Sequence, residues 1–462
     1  MNEGTEGTVS RRDFLPGAGA ALAAFTILPR HVLGGQGAAA PSDKLNIAAV
    51  GVGGMGQNYM AGCKGENMVA IADVDSGFAA PVFKKYPAAK IYKDYRVLME
   101  KEKGIDAVII GTPDHSHACI AMAAIGLKKH VYVAKPMTRT IHEARTVTKA
   151  AREARVATQM SVQSCSNDAA VTTEEWIKAG VVGAIREVHV WTDRPVWPQA
   201  LDRPKGAPKV PKTLDWDAWL GPAPVRPYHP VYHPFNFRGW YDFGTGALGD
   251  MACHSFHVIV KALSLGAPVA VSSSTTAIRQ ALQGDQKPDP DWARSRVATN
   301  PETFPASSIT TWDFPARDGQ PPVRMHWYEG GLKPPRPVEM QAGRSLGVDG
   351  VLWMGEKGAL LTGFSGGVRF LNEAQKQSIT PPPKTLPRTA DHYLEWVEAC
   401  KGGKPASCNF EFASLVAEIA LLGVAAQRTG KYLAWDAANA RFTNGENANQ
   451  FINPPYRAGW SL

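Results

Sequence analysis

Two short stretches carry residue types that can move protons. In "VYVAKPMT", Lys135 stands at the end of an apolar β-branched run and is followed by Pro136, which stiffens the turn. In "GTGALGDMACHSFHVIVKAL", Asp250 and His254 are four residues apart, so on a helix they share a face. An imidazole there can take the proton of a substrate hydroxyl while the carboxylate orients and stabilises the imidazolium. A plainer reading makes Asp250 the N-cap of an apolar helix and His254 an interior histidine. Asp250, His254, His257 and neighbouring Cys253 are also the atoms of a possible metal site, but ligands from one straight helix rarely surround a tetrahedral ion, and no metal is expected.

A second set of residues points to a dinucleotide. Gly51, Gly53 and Gly56 form G-x-G-x-x-G directly after "LNIAAV" and at the start of a helical pattern, where glycines let backbone amides approach a pyrophosphate. Asp73 ends the next apolar run, about 20 residues on, at the position from which a carboxylate accepts hydrogen bonds from the ribose diol. It would also repel a 2′-phosphate, and "VDSGFA" after it has no Lys or Arg, so NAD is expected over NADP. Thr112 and Asp114 in "GTPDHSH" fall at the carboxyl edge of the third expected strand, with His115 and His117 as a helix-start pair lining the cleft. Met55 inside the glycine loop, Lys135, and Gln163 in "MSVQSC" complete the expected cofactor contacts.

These residues need a frame. From Lys44 to about Gln163, the runs "LNIAAV", "MVAIAD", "IDAVIIG", "HVYVA" and "ARVATQM" alternate with helical patterns such as "HACIAMAAIGLKK" and "TIHEARTVTKAAREA". Continuous apolar runs suit strands buried on both faces of a parallel, doubly wound sheet, so residues 41–165 read as a Rossmann domain. Beyond it the texture changes. The helix "DAAVTTEEWIKAG" leads into "IREVHVWTDR", and then "VAVSSSTTAIR", "SSITTWDF", "VRMHWYEGG" and the hairpin "VLWMGEKGALLTG" follow without helices between them. That pattern implies an α/β domain over 166–462 with a large, mostly antiparallel open sheet. Two helices, "DHYLEWVEACKG" and "EFASLVAEIALLGVAAQR", come near the end. Between "IREVHVWTDR" and "VAVSSSTTAIR" lies a Pro- and aromatic-rich stretch from Trp191 to Phe243. Aromatic faces suit pyranose rings, and Trp197, Arg238 and Trp240, with Asp250 and His254, are the expected substrate contacts. Most of the other rings read as a small accessory core.

The chain has 462 residues and a formal charge of +8, without a Lys/Arg block or zinc-finger spacing that would focus that charge on nucleic acid. Arg11 and Arg12, then Phe14, Leu15 and an Ala-rich run, match a twin-arginine leader within residues 1–40. The run is shorter than the roughly 20 residues of a stable membrane span. Export through the twin-arginine machinery to the periplasm is therefore expected. The cysteines (Cys63, Cys119, Cys165, Cys253, Cys400, Cys408) contain no C-x-x-C pair, and only Cys400 and Cys408 stand out as able to bridge.

The ordered set "GVGGMG", "DVD", "TPDHSH", "AKP" and "GDMACH" after such a leader resembles the Gfo/Idh/MocA oxidoreductases, in particular exported, sugar-acting members. The resemblance implies a Rossmann domain joined to an α/β domain that carries the sugar site and oligomer contacts. It also implies that Lys135 contacts the reacting hydroxyl and the nicotinamide ribose, that His254 is the general base, and that Asp250 is its partner or a substrate ligand. Two departures stand out. Ala134 replaces the family's Glu before Lys-Pro, removing a carboxylate beside Lys135, and "MSVQSC" has Val162 and Cys165 where similar members often have Asn and His.

The expected activity is oxidation of a ring hydroxyl of a sugar or glycoside by tightly held NAD in a homo-oligomer. The alternatives are a glycosidase that works by transient oxidation and elimination, and a non-catalytic sugar-binding protein. Because the twin-arginine route carries folded proteins, the nucleotide can travel inside.

Overall fold

The computed structural model describes residues 43–276, 300–389 and 391–462. The leader and the end of "VAVSSSTTAIR" lie outside the described residues.

The apolar runs of the first half form six parallel strands: β1 (Asn46–Val50), β2 (Asn67–Ala72), β3 (Lys90–Tyr92), β4 (Ala107–Ile110), β5 (His130–Val133) and β6 (Thr158–Met160), in the order β3-β2-β1-β4-β5-β6. Every residue of β4 is buried, as a strand covered on both faces requires. The sheet order reverses between β1 and β4, and ligands of open α/β sheets bind outside the carboxyl ends of the strands at that point. One strand had no counterpart in the sequence reading. β3 is a three-residue edge strand with two exposed positions, too short and polar to announce itself, so the strand before "GTPDHSH" is the fourth rather than the third. The helix Ile141–Ala154 starts where a capping box predicts, with Thr140 and Glu143 satisfying each other's backbone amides.

The second half forms β7 (Ile185–Trp191), β8 (Ala270–Thr275), β9 (Ser308–Phe314), β10 (Val323–Glu329), β11 (Gly350–Gly355), β12 (Gly358–Thr362), β13 (Val368–Arg369), β14 (Leu433–Asp436) and β15 (Arg441–Phe442). They build one nine-stranded sheet in the order β13-β12-β11-β7-β10-β9-β8-β14-β15, with β11 and β12 as the expected hairpin. β7 and β10 pair in parallel, and the other pairs are antiparallel.

The largest apolar core among the described residues runs from Val108 and Ile110 in the first sheet through Phe256 and Leu422 in the intervening helices to Trp312 and Trp327 in the second. The helix Phe410–Thr429 is long and apolar enough to cross a membrane, but it is mostly buried and packs on the helices Ile141–Ala154 and Gly246–Leu263 and on β8. It is a core helix here. The helix His392–Cys400 returns to the first lobe, where Trp396 and Val397 pack with Ile109 and Tyr132.

Candidate functional site

At the switch point the glycine loop follows β1. Gly51 has φ +76°, and a Cβ there would lie 2.7 Å from the Thr112 backbone nitrogen, so β1 and the β4 edge approach as closely as they do only with glycine. Gly56 faces the Gly51 carbonyl oxygen, where a Cβ would sit 2.1 Å away. Asp73 locks this loop: one carboxylate oxygen accepts from the amides of Val52 (2.8 Å) and Gly53 (3.2 Å), the other from Asp75 (2.9 Å). Burial pushes the Asp73 carboxyl up from its usual range, against the three amides that favour its charged form. Gly51, Gly53, Met55, Asp73, Thr112, Asp114, Lys135 and Gln163 all line one cleft of about 630 Å³, a volume within the range of small-molecule sites.

Gly56 packs under the loop rather than lining the cleft. His115 and His117 correct the reading of a cleft-lining pair. Both are fully buried. His117 bridges the carbonyls of Thr112 and Pro136 at 2.8 Å each, and His115 contacts those of Trp219 and Phe243, so each imidazole ties loops together behind the cleft. Burial drives His115 down to about 4. The structure also brings in cations from beyond the "VDSGFA" stretch. Lys93 and Arg96 line the same cleft, with Arg96 held by Asp94 at 2.7 Å and lying over the Trp460 ring.

The helix Gly246–Leu263 opens a full turn before Asp250, so Asp250 is not its cap. Its buried carboxylate has two cationic partners instead. Lys135 Nζ and Arg238 Nε each lie 2.9 Å from the same oxygen, and Lys135 also donates to the Asp250 carbonyl. Burial alone would raise Asp250, but the two cations outweigh it and hold its pKa at about 2. The expected Asp250–His254 dyad is thereby corrected: the carboxylate is committed to Lys135 and Arg238. The same pairing answers the missing Glu at Ala134, because Asp250 supplies a carboxylate to the Lys135 ammonium from across the cleft. It also removes Asp250 from any metal set with His257, whose Nε2 is engaged by the Ser164 hydroxyl at 2.9 Å.

His254 lines the cleft beside this group. Burial first, and then the Lys135 charge, drive its pKa down to about 3, with Asp250 opposing. The imidazole is therefore neutral, and able to accept a proton, at every pH above that value. If His254 takes the substrate proton, the acid limb of kcat/KM is expected well below pH 5, with activity held above it and lost as pH falls through about 3. A limb centred near 6.5 in a pH–rate profile would contradict the assignment.

Arg238 reaches the cleft as expected, stacked between Phe235 and Phe237 with ring distances of 4.7 and 4.6 Å. Trp197 and Trp240 do not line it. Trp240 is fully buried against Tyr232 within the loop's own core, and Trp197 is buried with its indole N–H on Gln199. Trp240 belongs to a core of nine buried residues in this loop, whereas Trp197 packs on Phe235 and under the Arg238 guanidinium, so both support the wall from behind. Among the rings that do line the cleft are Phe78, Tyr95, Trp219, Phe235, Phe237 and Trp460, with His233 paired to Asp75 at 2.9 Å. Tyr59, which accepts a hydrogen bond from Ser161 at 3.0 Å and whose pKa burial pushes up to about 12, also lines it. Nothing in spacing singled these residues out, although the aromatic density of the loop was visible.

Comparison with known proteins identifies the family and the fold. A profile described as "Oxidoreductase family, NAD-binding Rossmann fold" matches residues 45–163, and the "C-terminal alpha/beta domain" of the same family matches residues 195–282 and 345–462. Inositol 2-dehydrogenase of Salmonella paratyphi B is 33% identical over 101 residues, 21% of this chain and 30% of that protein. The scyllo-inositol 2-dehydrogenase (NAD(+)) of Bacillus subtilis is 27% identical over 170 residues, 36% and 46% of the respective chains. The chain thus spans less than half the length of these curated relatives. Among solved structures, the WlbA dehydrogenase of Bordetella pertussis in complex with NADH and UDP-GlcNAcA has a TM-score of 0.57 at 15% identity, covering 85% of this chain and 99% of that one. A levoglucosan dehydrogenase in complex with NADH and L-sorbose has a TM-score of 0.53 at 18% identity, covering 86% and 100%. At such identities these two show a shared fold. With both family domains matched in order and the glycine loop, Asp73 and Lys135 gathered on one cleft, the chain belongs to the Gfo/Idh/MocA family of NAD-binding oxidoreductases.

Proposed function

We propose that this protein is an exported NAD-dependent oxidoreductase that oxidises a ring CH–OH of a sugar, glycoside or cyclic polyol. The observation that carries the reading is the meeting of an ammonium (Lys135), a neutral imidazole (His254) and a guanidinium (Arg238) on the wall of the cleft that the glycine loop and Asp73 also line. The residues fit the cofactor: the loop leaves no room for a Cβ at Gly51, and Asp73 lines the cleft at the end of β2, the position from which a carboxylate accepts from a ribose diol. When bound, NAD supplies the two-electron acceptor for the carbinol C–H. Lys135 holds the hydroxyl oxygen and stabilises negative charge as it develops there. A ring nitrogen of His254 takes the hydroxyl proton. Arg238 donates to a neighbouring hydroxyl, while Phe235 and Trp219 cover the apolar ring face. Asp250 keeps Lys135 and Arg238 in place.

Relatives named for inositols and levoglucosan support a polyhydroxylated ring as substrate. Arg11 and Arg12 support a periplasmic location, where free NAD is scarce and a retained nucleotide is an advantage. Self-association is part of the proposal on the family resemblance.

Denaturing the purified protein is expected to release NAD or NADH close to one per chain. Incubation with a panel of glycosides and inositols is expected to yield a ketone product. Accumulation of a free leaving group without net redox would replace this reading with the glycosidase. Sugar binding without turnover, restored by Ala134→Glu, would replace it with a binding protein. Exchange of Arg11 and Arg12 for Lys, followed by cell fractionation, tests the export step.

A further inference from the structure

The face of the nine-stranded sheet opposite Val188, Val190, Met325 and Trp327, which point into the core, carries a cluster that does not line the cleft. On β7, Glu187 and His189 are two residues apart and so project from the same face. On β10, His326 is the direct partner of His189 in the β7–β10 pair. The two imidazoles are stacked, with centroids 5.0 Å apart and planes 14° from parallel. Both direct Nε2 at Glu187: His326 Nε2 lies 2.7 Å and His189 Nε2 3.4 Å from the same carboxylate oxygen. All three donor atoms lie within 4.8 Å of one another.

We propose that Glu187, His189 and His326 form a divalent transition-metal site, of the kind zinc occupies, that rivets β7 to β10 and plays no part in the oxidation. Two imidazole nitrogens and a carboxylate oxygen are a usual zinc donor set, with a water left as the fourth ligand. Donors at zinc distances on a tetrahedron are roughly 3.3 Å apart. The His189 to Glu187 separation already matches this, and the His326 one needs to open by about half an ångström.

The other ring nitrogens are held as metal-binding histidines require. His189 Nδ1 is hydrogen-bonded to the Tyr328 hydroxyl at 3.0 Å, and His326 Nδ1 to the Thr311 hydroxyl at 2.9 Å, which orients both rings with Nε2 free to ligate. The Nε2 of His326 is buried and makes no well-aligned hydrogen bond despite the nearby carboxylate. The place suits a cross-link. β7 and β10 are the parallel pair within an otherwise antiparallel sheet, and no short turn connects them.

The test uses the untagged, full-length protein stripped with chelator and titrated with zinc chloride by calorimetry. One saturable equivalent per chain is expected, together with a rise in melting temperature. His326→Ala and Glu187→Gln should each weaken binding by at least about 10-fold while leaving sugar oxidation unchanged. Cobalt loading of the unmodified chain should give the intense visible spectrum of a four-coordinate site, a readout independent of how the variants fold. A weak six-coordinate spectrum, zinc binding that survives both substitutions, or no stoichiometric uptake would each overturn the proposal.

Discussion

Asp250→Asn is expected to cut kcat by roughly 10²–10³ and to lower stability by about 2–3 kcal/mol, with NADH affinity little changed. The amide preserves volume but leaves Lys135 and Arg238, whose side chains are only 17% and 18% exposed, facing each other without an anion. Their residual contact with the cleft is why the stability figure sits at or below the usual loss for breaking a buried pair. The effect on rate comes through placement, because Lys135 stays close to the substrate oxygen only while Asp250 anchors it.

Linkage supplies a second readout. The folded pKa of Asp250, about 2, is below the ordinary carboxylate value, so its stabilising contribution is fully present above about pH 4 and is lost as pH falls towards 2. Acid titration of stability in that window should be shallower in the variant than in the parent. Removing the carboxylate also removes what opposes the depression of His254, so the acid limb of the rate profile should not move upward. Wild-type kcat in Asp250→Asn would show that the triad of charges does not position Lys135.

Gly51→Val is expected to reduce NADH affinity by more than 100-fold, read by fluorescence titration, and to cost about 2–3 kcal/mol of stability through the left-handed backbone alone. The Cβ would lie 2.7 Å from the Thr112 nitrogen and 2.8 Å from its Cα, and backbone on a neighbouring strand edge cannot move aside as a side-chain tip can. Pushing the loop away from β4 also breaks the bond from the Gly51 amide to Ala72 and the Asp73 clasp on Val52 and Gly53. Gly54→Ala is the control, because no atom lies within 4 Å of its added Cβ. It should bind NADH as the parent does. Equal loss in both variants would mean that loop flexibility, rather than the Gly51 contact, matters.

Much of this was legible without coordinates. Five strands of the first sheet announce themselves because burial on both faces demands unbroken runs such as Ala107–Ile110, and the glycine loop does so because two backbones meet at Gly51. β3 escaped because an exposed three-residue edge strand has no such demand on its composition. The site was legible by residue type but not by partner. Asp250 and His254 share a helix face, yet Asp250 answers to Lys135 from the first lobe and Arg238 from the aromatic loop. Trp197 and Trp240 show the same limit, since ring type alone does not tell a cleft wall from the core behind it.

Sequence by itself determined the two-lobed α/β plan, the dinucleotide loop and the inventory of proton-moving groups, because each depends on local periodicity or on a backbone conformation few residues tolerate. Tertiary structure alone decided which charges pair, which histidines are tied up behind the cleft, and that His189 and His326 face each other across β7 and β10. The pairings of Lys135 with Asp250, His115 with Phe243 and His189 with His326 join residues more than a hundred positions apart, which side-chain chemistry permits in many combinations and only the packed fold selects.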